Sequence, residues 1–217
     1  MNESLSAAQL EQLAFFPLPR LVFLPGTLLP LHIFEPRYRE MIAWCVQRDS
    51  LLAVTCIREG HEAEQPGDPP VSAVCGVGRI VHHRQTEDGR FHVLLEGVAR
   101  VRIVEEFPMD LPFRRARAEL VLDRDEPTSP EFSARVGTLR RMIAALEARF
   151  PAASLALAAV ADLDADADVV DGLGAMIFTE PGERQALLEC QDLAGRLDHV
   201  EAQVMSLLTV NSGAMDA

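Results

Sequence analysis

The chain has 217 residues, 48% of them hydrophobic, and a formal net charge of −13 at pH 7. This length can bury one sizeable core or two small ones, and such an acidic surface repels nucleic acid and anionic membranes unless its basic residues are segregated. All 20 basic residues are arginines, so the chain cannot assemble a Ser-Lys peptidase dyad, a Walker A phosphate loop or a Schiff-base lysine.

The first 46 residues alternate apolar runs with turn signals. We interpret residues 1–14 as a frayed start with a short helix around residues 7–13. The apolar run at residues 21–24 predicts a buried strand, Pro25 and Gly26 predict a turn, and residues 31–34 predict a second strand. Pro36 suits the first position of a helix whose apolar side chains recur at helical spacing, namely Tyr38, Met41, Ile42 and Cys45.

The next part of the chain, up to residue 122, is rich in short predicted strands. They cover residues 51–57, 71–83, 91–96, 98–105 and 115–122, with a loop at residues 58–70 and bulge positions at Gly76 and Gly78. Asp88-Gly89 is a strong hairpin signal. Many short strands with turns between them predict a small, closed or nearly closed sheet.

Residues 123–130 (DRDEPTSP) are rich in charge and proline, which predicts a boundary between domains 1–122 and 123–217. The hydrophobic period then becomes helical, with an apolar stripe formed by Phe132, Val136, Leu139, Ile143 and Leu146. Further helices are predicted over residues 152–161 and 169–178, and one long helix from Pro181. The prediction is a four-helix cluster followed by a disordered tail at residues 211–217.

The string FPLPRLVFLPGTLLPLHIFEPRYREMI resembles the opening of the Lon N-terminal domain family, the substrate-recognition domain of Lon proteases, which also occurs as a free-standing bacterial protein. The resemblance continues at residues 87–90 and 95–103 and weakly at residues 181–189. It implies an α+β fold in which a twisted PUA-like β-barrel encloses one helix and a helical bundle follows. It also implies a recognition domain without the ATPase motor or the protease, and therefore no enzymatic activity.

Apolar side chains in the proline-rich opening predict a groove beside the barrel. Such a groove would bind unfolded or partner polypeptide by packing and strand addition. For each residue taken singly, a structural role at the start of the helix is the favoured interpretation. The candidate substrate-binding residues are Phe16, Phe23, Leu28, Phe34, Arg37 and Tyr38.

The alternative function is RNA binding, because the PUA fold binds RNA elsewhere and five arginines could gather on neighbouring strands. These are Arg100, Arg102, Arg114, Arg115 and Arg117. Nearby glutamates, the net charge and the shortage of stacking aromatic residues instead favour a solvated, salt-bridged face.

Metal and cofactor sites are not predicted. A two-residue hairpin turn would make His83 and His92 diagonal neighbours on one face, but two imidazoles without a carboxylate or cysteine are an incomplete site. His32 is interpreted as a hydrogen-bonded structural residue. The acidic run from Asp162 to Asp168 lacks the glycine and glutamate of a calcium-binding EF-hand loop.

The cellular context follows from what the chain does not contain. Apolar runs are far shorter than the roughly 20 residues of a membrane span, and the polar start is unlike a signal peptide. We therefore expect a cytoplasmic protein with no membrane partner. The four scattered cysteines are expected to be buried hydrophobic residues. The sequence leaves the oligomeric state open between a monomer and a weak dimer.

Overall fold

The computed structural model describes residues 5–65, 67–124 and 129–209. The chain divides into two units, Met1–Leu122 and Asp123–Ala217. In the described residues, the first unit carries all of the strands and the second is helical, so the predicted α+β class is confirmed. The first unit contains, in chain order, α1 (Ala7–Leu10), β1 (Leu13–Pro19), β2 (Leu28–Ile33), α2 (Pro36–Val46), β3 (Leu51–Ile57), β4 (Val74–Gln85), β5 (Phe91–Glu106) and β6 (Arg115–Leu120).

These strands form one mixed sheet in the order β2-β5-β4-β3-β1-β6. Strand β6 also pairs with the second half of β5, which closes the sheet into a barrel and leaves β2 beyond it on the first half of β5. Strands β1 and β3 pair in parallel, and the other pairs are antiparallel. All seven residues of β3 are buried, as expected of a strand with both faces covered.

Helix α2 supplies one side of the larger hydrophobic core of the first unit. Its buried residues are the four predicted from helical spacing, Tyr38, Met41, Ile42 and Cys45. They pack with side chains from β1, β3, β4 and β5. Pro36 occupies the first helical turn as predicted, where its missing N–H costs no hydrogen bond.

The predicted strand at residues 21–24 is wrong, because the first strand lies earlier, at β1. Residues 21–24 are irregular, with Val22, Phe23 and Leu24 buried. They cross the sheet at glycines: a Cβ on Gly76 would lie 2.1 Å from the Phe23 carbonyl oxygen, and a Cβ on Gly97 would lie 2.4 Å from the Leu24 carbonyl oxygen. The strand glycines therefore make room for a buried segment that is not itself a strand.

The second unit contains α3 (Pro130–Arg149), α4 (Ser154–Ala161), α5 (Asp166–Ile177), α6 (Pro181–Glu189) and α7 (Leu193–Thr209). The predicted stripe on α3 is confirmed as its buried face. The single long helix predicted from Pro181 is wrong, because the described residues form two helices, α6 and α7. The Asp192 carboxylate accepts the backbone N–H of Ala194 at 3.1 Å, which starts a new helix.

A buried arginine links several segments of the second unit. Arg196 of α7 is 1% exposed. Its guanidinium donates to both carboxylate oxygens of Asp123, at 2.7 and 2.9 Å, and to the Cys190 carbonyl oxygen at 2.8 Å. Its Nε lies 2.7 Å from the Asp171 carboxylate. These contacts secure the break between α6 and α7.

The predicted tail at residues 211–217 and the boundary residues 125–128 lie outside the described residues.

Candidate binding surface on the edge strand

Strand β2 is an edge strand: among the described residues it pairs only with β5, from Leu28 opposite Glu96 to Ile33 opposite Phe91. Pro30, opposite Leu94, has no N–H to donate, so this pair belongs to the non-hydrogen-bonded class of the antiparallel ladder. The N–H of Gly97 donates to the Thr27 carbonyl at 2.8 Å, which fits the same alternation. The backbone groups of Leu28, Pro30 and His32 therefore face the free edge.

The side chains of β2 alternate between the core and solvent. Leu29 and Leu31 pack against the core and Ile33 is buried in it. The opposite face exposes residues that we call the β2 row, namely Leu28, Pro30, His32 and Phe34. Leu28 is 63% exposed and Phe34 is 58% exposed. Leu94, opposite Pro30 and partly exposed, extends this apolar surface onto β5.

Three of the six predicted substrate-binding residues lie elsewhere. Phe16, Phe23 and Tyr38 are buried members of the core around α2, and the rings of Phe16 and Tyr38 lie 4.4 Å apart. Burial raises the pKa of the Tyr38 hydroxyl. The expectation that these three side chains line an open groove is therefore corrected: they belong to the core, whereas Leu28 and Phe34 of the β2 row are exposed.

The remaining predicted residue, Arg37, lies in the first turn of α2, and its side chain is 22% exposed. Its guanidinium lies 4.4 Å from the centre of the Tyr38 ring, and its Nε donates to the Glu35 carboxylate at 3.1 Å. The structure therefore places Leu28 and Phe34 on one face, at opposite ends of the β2 row, and places Arg37 in a local ion pair beside the buried tyrosine.

Three of the five arginines of the alternative RNA-binding face form ion pairs with acidic neighbours. Arg114 is buried and donates to both carboxylate oxygens of Glu106, at 2.7 and 2.8 Å, and to the Pro69 carbonyl. Carboxylates also engage Arg115, through Asp110, and Arg117, through Glu105 and Glu119. Arg100 is buried, and Arg102 is exposed opposite Glu119. The face carries mixed charge rather than a continuous cationic strip.

The diagonal arrangement that a two-residue turn would give His83 and His92 does not form. Gln85 pairs with Phe91, so the hairpin turn spans residues 86–90, and His83 lies opposite Val93. This change of register by one residue turns His83 to the other face. His92 instead lies opposite His32, with ring centroids 4.8 Å apart and an angle of 12° between the ring planes. His32 is exposed rather than structural. Sequence reasoning missed this pair, although period-two alternation along residues 28–34 contained the signal.

Within the described residues, no set of three or more histidine, cysteine, aspartate or glutamate side chains could hold a metal ion. No single described helix has the length and hydropathy of a membrane span. The segments Pro130–Arg149 and Pro151–Ala161 meet those criteria only as a pair, with a bend of 119° between them.

The fold and the exposed row define a class: an α+β protein with a mixed barrel that packs against one face of a helix, a helical second unit and apolar side chains exposed along an edge strand. The model of the family described as the ATP-dependent protease La (LON) substrate-binding domain matches residues 12–204. The chain belongs to this family, as its opening string predicted.

Two Lon proteases illustrate the relationship in sequence. Lon protease 2 of Myxococcus xanthus is 29% identical over 190 residues, and a Lon protease of Paraburkholderia phytofirmans is 28% identical over 200 residues. The alignments cover 86% and 91% of this chain, but 22% and 24% of the relatives. The chain therefore spans less than a quarter of the length of these curated relatives.

Two solved structures share the fold. The N-terminal domain of Mycobacterium avium complex Lon protease matches with a TM-score of 0.67 and 16% identity, over 90% of this chain and 98% of that one. The Lon N-terminal domain protein from Xanthomonas campestris matches with a TM-score of 0.63 and 26% identity, over 88% and 97% of the two chains.

Proposed function

We propose that this chain is a non-catalytic, cytoplasmic module that binds unfolded or partner polypeptide through the β2 row. The observation that carries the proposal is the exposure of Leu28 on β2 and of Phe34 directly after it, 63% and 58%. The outer edge of β2 has no strand partner among the described residues. Membership in a family of protease substrate-binding domains supports the same role.

Binding would combine main-chain and side-chain contacts. An extended client segment can add to the free edge of β2, where the backbone groups of Leu28 and His32 offer both donors and acceptors. Its apolar side chains would then cover Leu28 and Phe34. Full burial of a leucine or phenylalanine side chain contributes about 1.5–3 kcal/mol, from which the cost of ordering the client is subtracted. Recognition by such contacts tolerates many client sequences.

The decisive experiment measures binding of a permanently unfolded, fluorescently labelled protein by anisotropy. The double variant Leu28→Ser, Phe34→Ser removes two exposed apolar side chains without opening the core. We expect its Kd to rise by about tenfold or more, because the lost burial exceeds roughly 1.4 kcal/mol. An unchanged Kd would contradict the proposal.

A matched control uses Leu155, an apolar side chain on α4 that is 88% exposed. Leu155→Ser should leave the Kd unchanged, whereas an equal loss in both variants would mean that surface hydrophobicity in general, and not the β2 row, drives binding. Trp44 fluorescence monitors folding of the first unit, because its ring packs 5.7 Å from Phe113 and 4.3 Å from the Arg48 guanidinium.

A further inference from the structure

Two histidines of the barrel face each other across neighbouring strands. His32 of β2 and His92 of β5 are direct cross-strand partners, and both are exposed. Because Pro30 and Leu94 form a non-hydrogen-bonded pair, the alternation of the ladder makes His32 and His92 one as well. In such pairs the Cα atoms are only about 4.5 Å apart and the side chains approach closely. The rings already lie side by side, with 4.8 Å between their centroids.

We propose that His32 and His92 form a binding site for a divalent transition-metal ion that favours imidazole, such as Cu²⁺, Ni²⁺ or Zn²⁺. Each neutral imidazole has a nitrogen lone pair to donate to the metal. The ladder fixes the separation of the two Cβ atoms, and the broad torsion about χ2 lets both rings turn a nitrogen toward one ion. Little ordering is therefore needed on binding.

The neighbouring residues define what kind of ion the site accepts. A shallow depression holds His32 and His92 together with residues of the hairpin turn. The depression also holds Arg84, which lies opposite His92 on β4, and two carboxylates, Glu87 and Asp88. Asp88 is already engaged, by the Thr86 hydroxyl at 2.5 Å and by Arg90 at 3.1 Å. The protein thus supplies two nitrogen ligands, and water completes the coordination. Such a site favours Cu²⁺ over Ni²⁺ and Zn²⁺ and offers little to Ca²⁺ or Mg²⁺, which require oxygen ligands.

The test is a Cu²⁺ titration of the full chain followed by electron paramagnetic resonance, which reports the nitrogen atoms bound to copper. We expect one Cu²⁺ bound through two imidazole nitrogens, more weakly than at a site with three or more protein ligands. His32→Gln or His92→Gln should each weaken binding by about tenfold or more and remove one nitrogen from the spectrum. Far-UV circular dichroism checks that these surface variants remain folded.

Two further variants distinguish copper bound at the His32–His92 pair from copper bound by any exposed histidine. His83→Gln alters the same hairpin, but on the face opposite to His92, and His199→Gln alters an exposed histidine of α7. Both should bind Cu²⁺ as the parent chain does. Equal binding by the parent chain and the double variant His32→Gln, His92→Gln would overturn the proposal, as would an equal loss in His83→Gln.

Discussion

At the scale of single residues, the core of the barrel depends on places where a side chain is absent. The Phe23 carbonyl oxygen occupies the position that a Cβ of Gly76 would need, at 2.1 Å, and the Phe23 carbonyl carbon is 2.9 Å from that position. Both atoms are backbone, so a rotamer change cannot relieve the clash. We expect Gly76→Ala to lower the free energy of unfolding by about 1–3 kcal/mol, measured by urea denaturation.

The matched control for this substitution is Gly137→Ala, on α3. A Cβ at Gly137 would meet no atom within 4 Å, and alanine is about 1 kcal/mol better than glycine inside a helix. This variant should therefore be neutral or stabilised. If Gly76→Ala were as stable as the parent chain, the Phe23 backbone would not be held against β4.

Two cysteines give the stability of the barrel a pH dependence. Burial raises the pKa of the Cys45 and Cys75 thiols to about 12, whereas an unfolded chain releases these protons near pH 8.5. The folded state thus holds protons that the unfolded state loses. The stability that this linkage provides is fully present below about pH 8.5 and falls as the pH rises toward 12.

The burial that raises these pKa values is tested by thiol labelling at about pH 8.5, where exposed thiolates react. We expect Cys190, which is partly exposed, to react in the native chain, and Cys45 and Cys75 to react only after addition of urea. Rapid native labelling of Cys75 would show that the barrel opens under these conditions, contrary to the prediction.

At the scale of elements, sequence patterns predict those whose surroundings are uniform along their length. Strand β3 has the predicted bounds because both of its faces are buried, and the stripe on α3 matches its buried face because one side packs on the bundle. The predicted α2 is correct for the same reason. In α2, the proline at the start and the helical spacing of the apolar residues both predict the helix, and the apolar residues are its buried face.

The incorrect elements are those that distant contacts decide. Residues 21–24 look like a strand, yet they cover glycines about 50 and 70 residues further along the chain. The break between α6 and α7 depends on Arg196 binding the Cys190 carbonyl. The residues of the candidate site show the same contrast. Alternation along the chain predicts that Leu28 and Phe34 share a face, whereas the burial of Phe16 and Phe23 depends on the closure of the barrel.

Pro30 gives the edge strand a testable protection against self-association. It removes a donor from the free edge of β2, and prolines on edges discourage pairing with other chains. We expect Pro30→Val to restore one hydrogen bond to an added strand, worth about 0.5–1.5 kcal/mol. Self-association measured by sedimentation velocity should strengthen by about twofold to tenfold.

Pro112 provides the control, because it is exposed in the connection between β5 and β6. Pro112→Val should not change self-association. Excess unfolded polypeptide should suppress the association of Pro30→Val, because both use the same edge. Unchanged sedimentation of Pro30→Val would mean that this edge is closed to added strands.

At the scale of the whole molecule, the charge of −13 separates the two functions considered for this chain. Single-stranded RNA bound through the arginines of β5 and β6 would release counterions, so its affinity would fall by roughly 100- to 350-fold between about 50 and 200 mM NaCl for five or six phosphate contacts. Burial of apolar side chains releases none, and salt strengthens it slightly if at all. The two mechanisms thus predict different salt responses: the affinity for RNA falls steeply with salt, whereas the affinity for an apolar client hardly changes.

We therefore expect the Kd for an unfolded client of near-zero net charge to change by less than about threefold over this range of salt. Anisotropy titrations at several NaCl concentrations measure it, with a single-stranded RNA of similar length in parallel. A client with strong positive charge would be attracted to the acidic chain as a whole, which is why client charge must be near zero. A steep fall in client affinity with salt would assign binding to charge rather than to the β2 row.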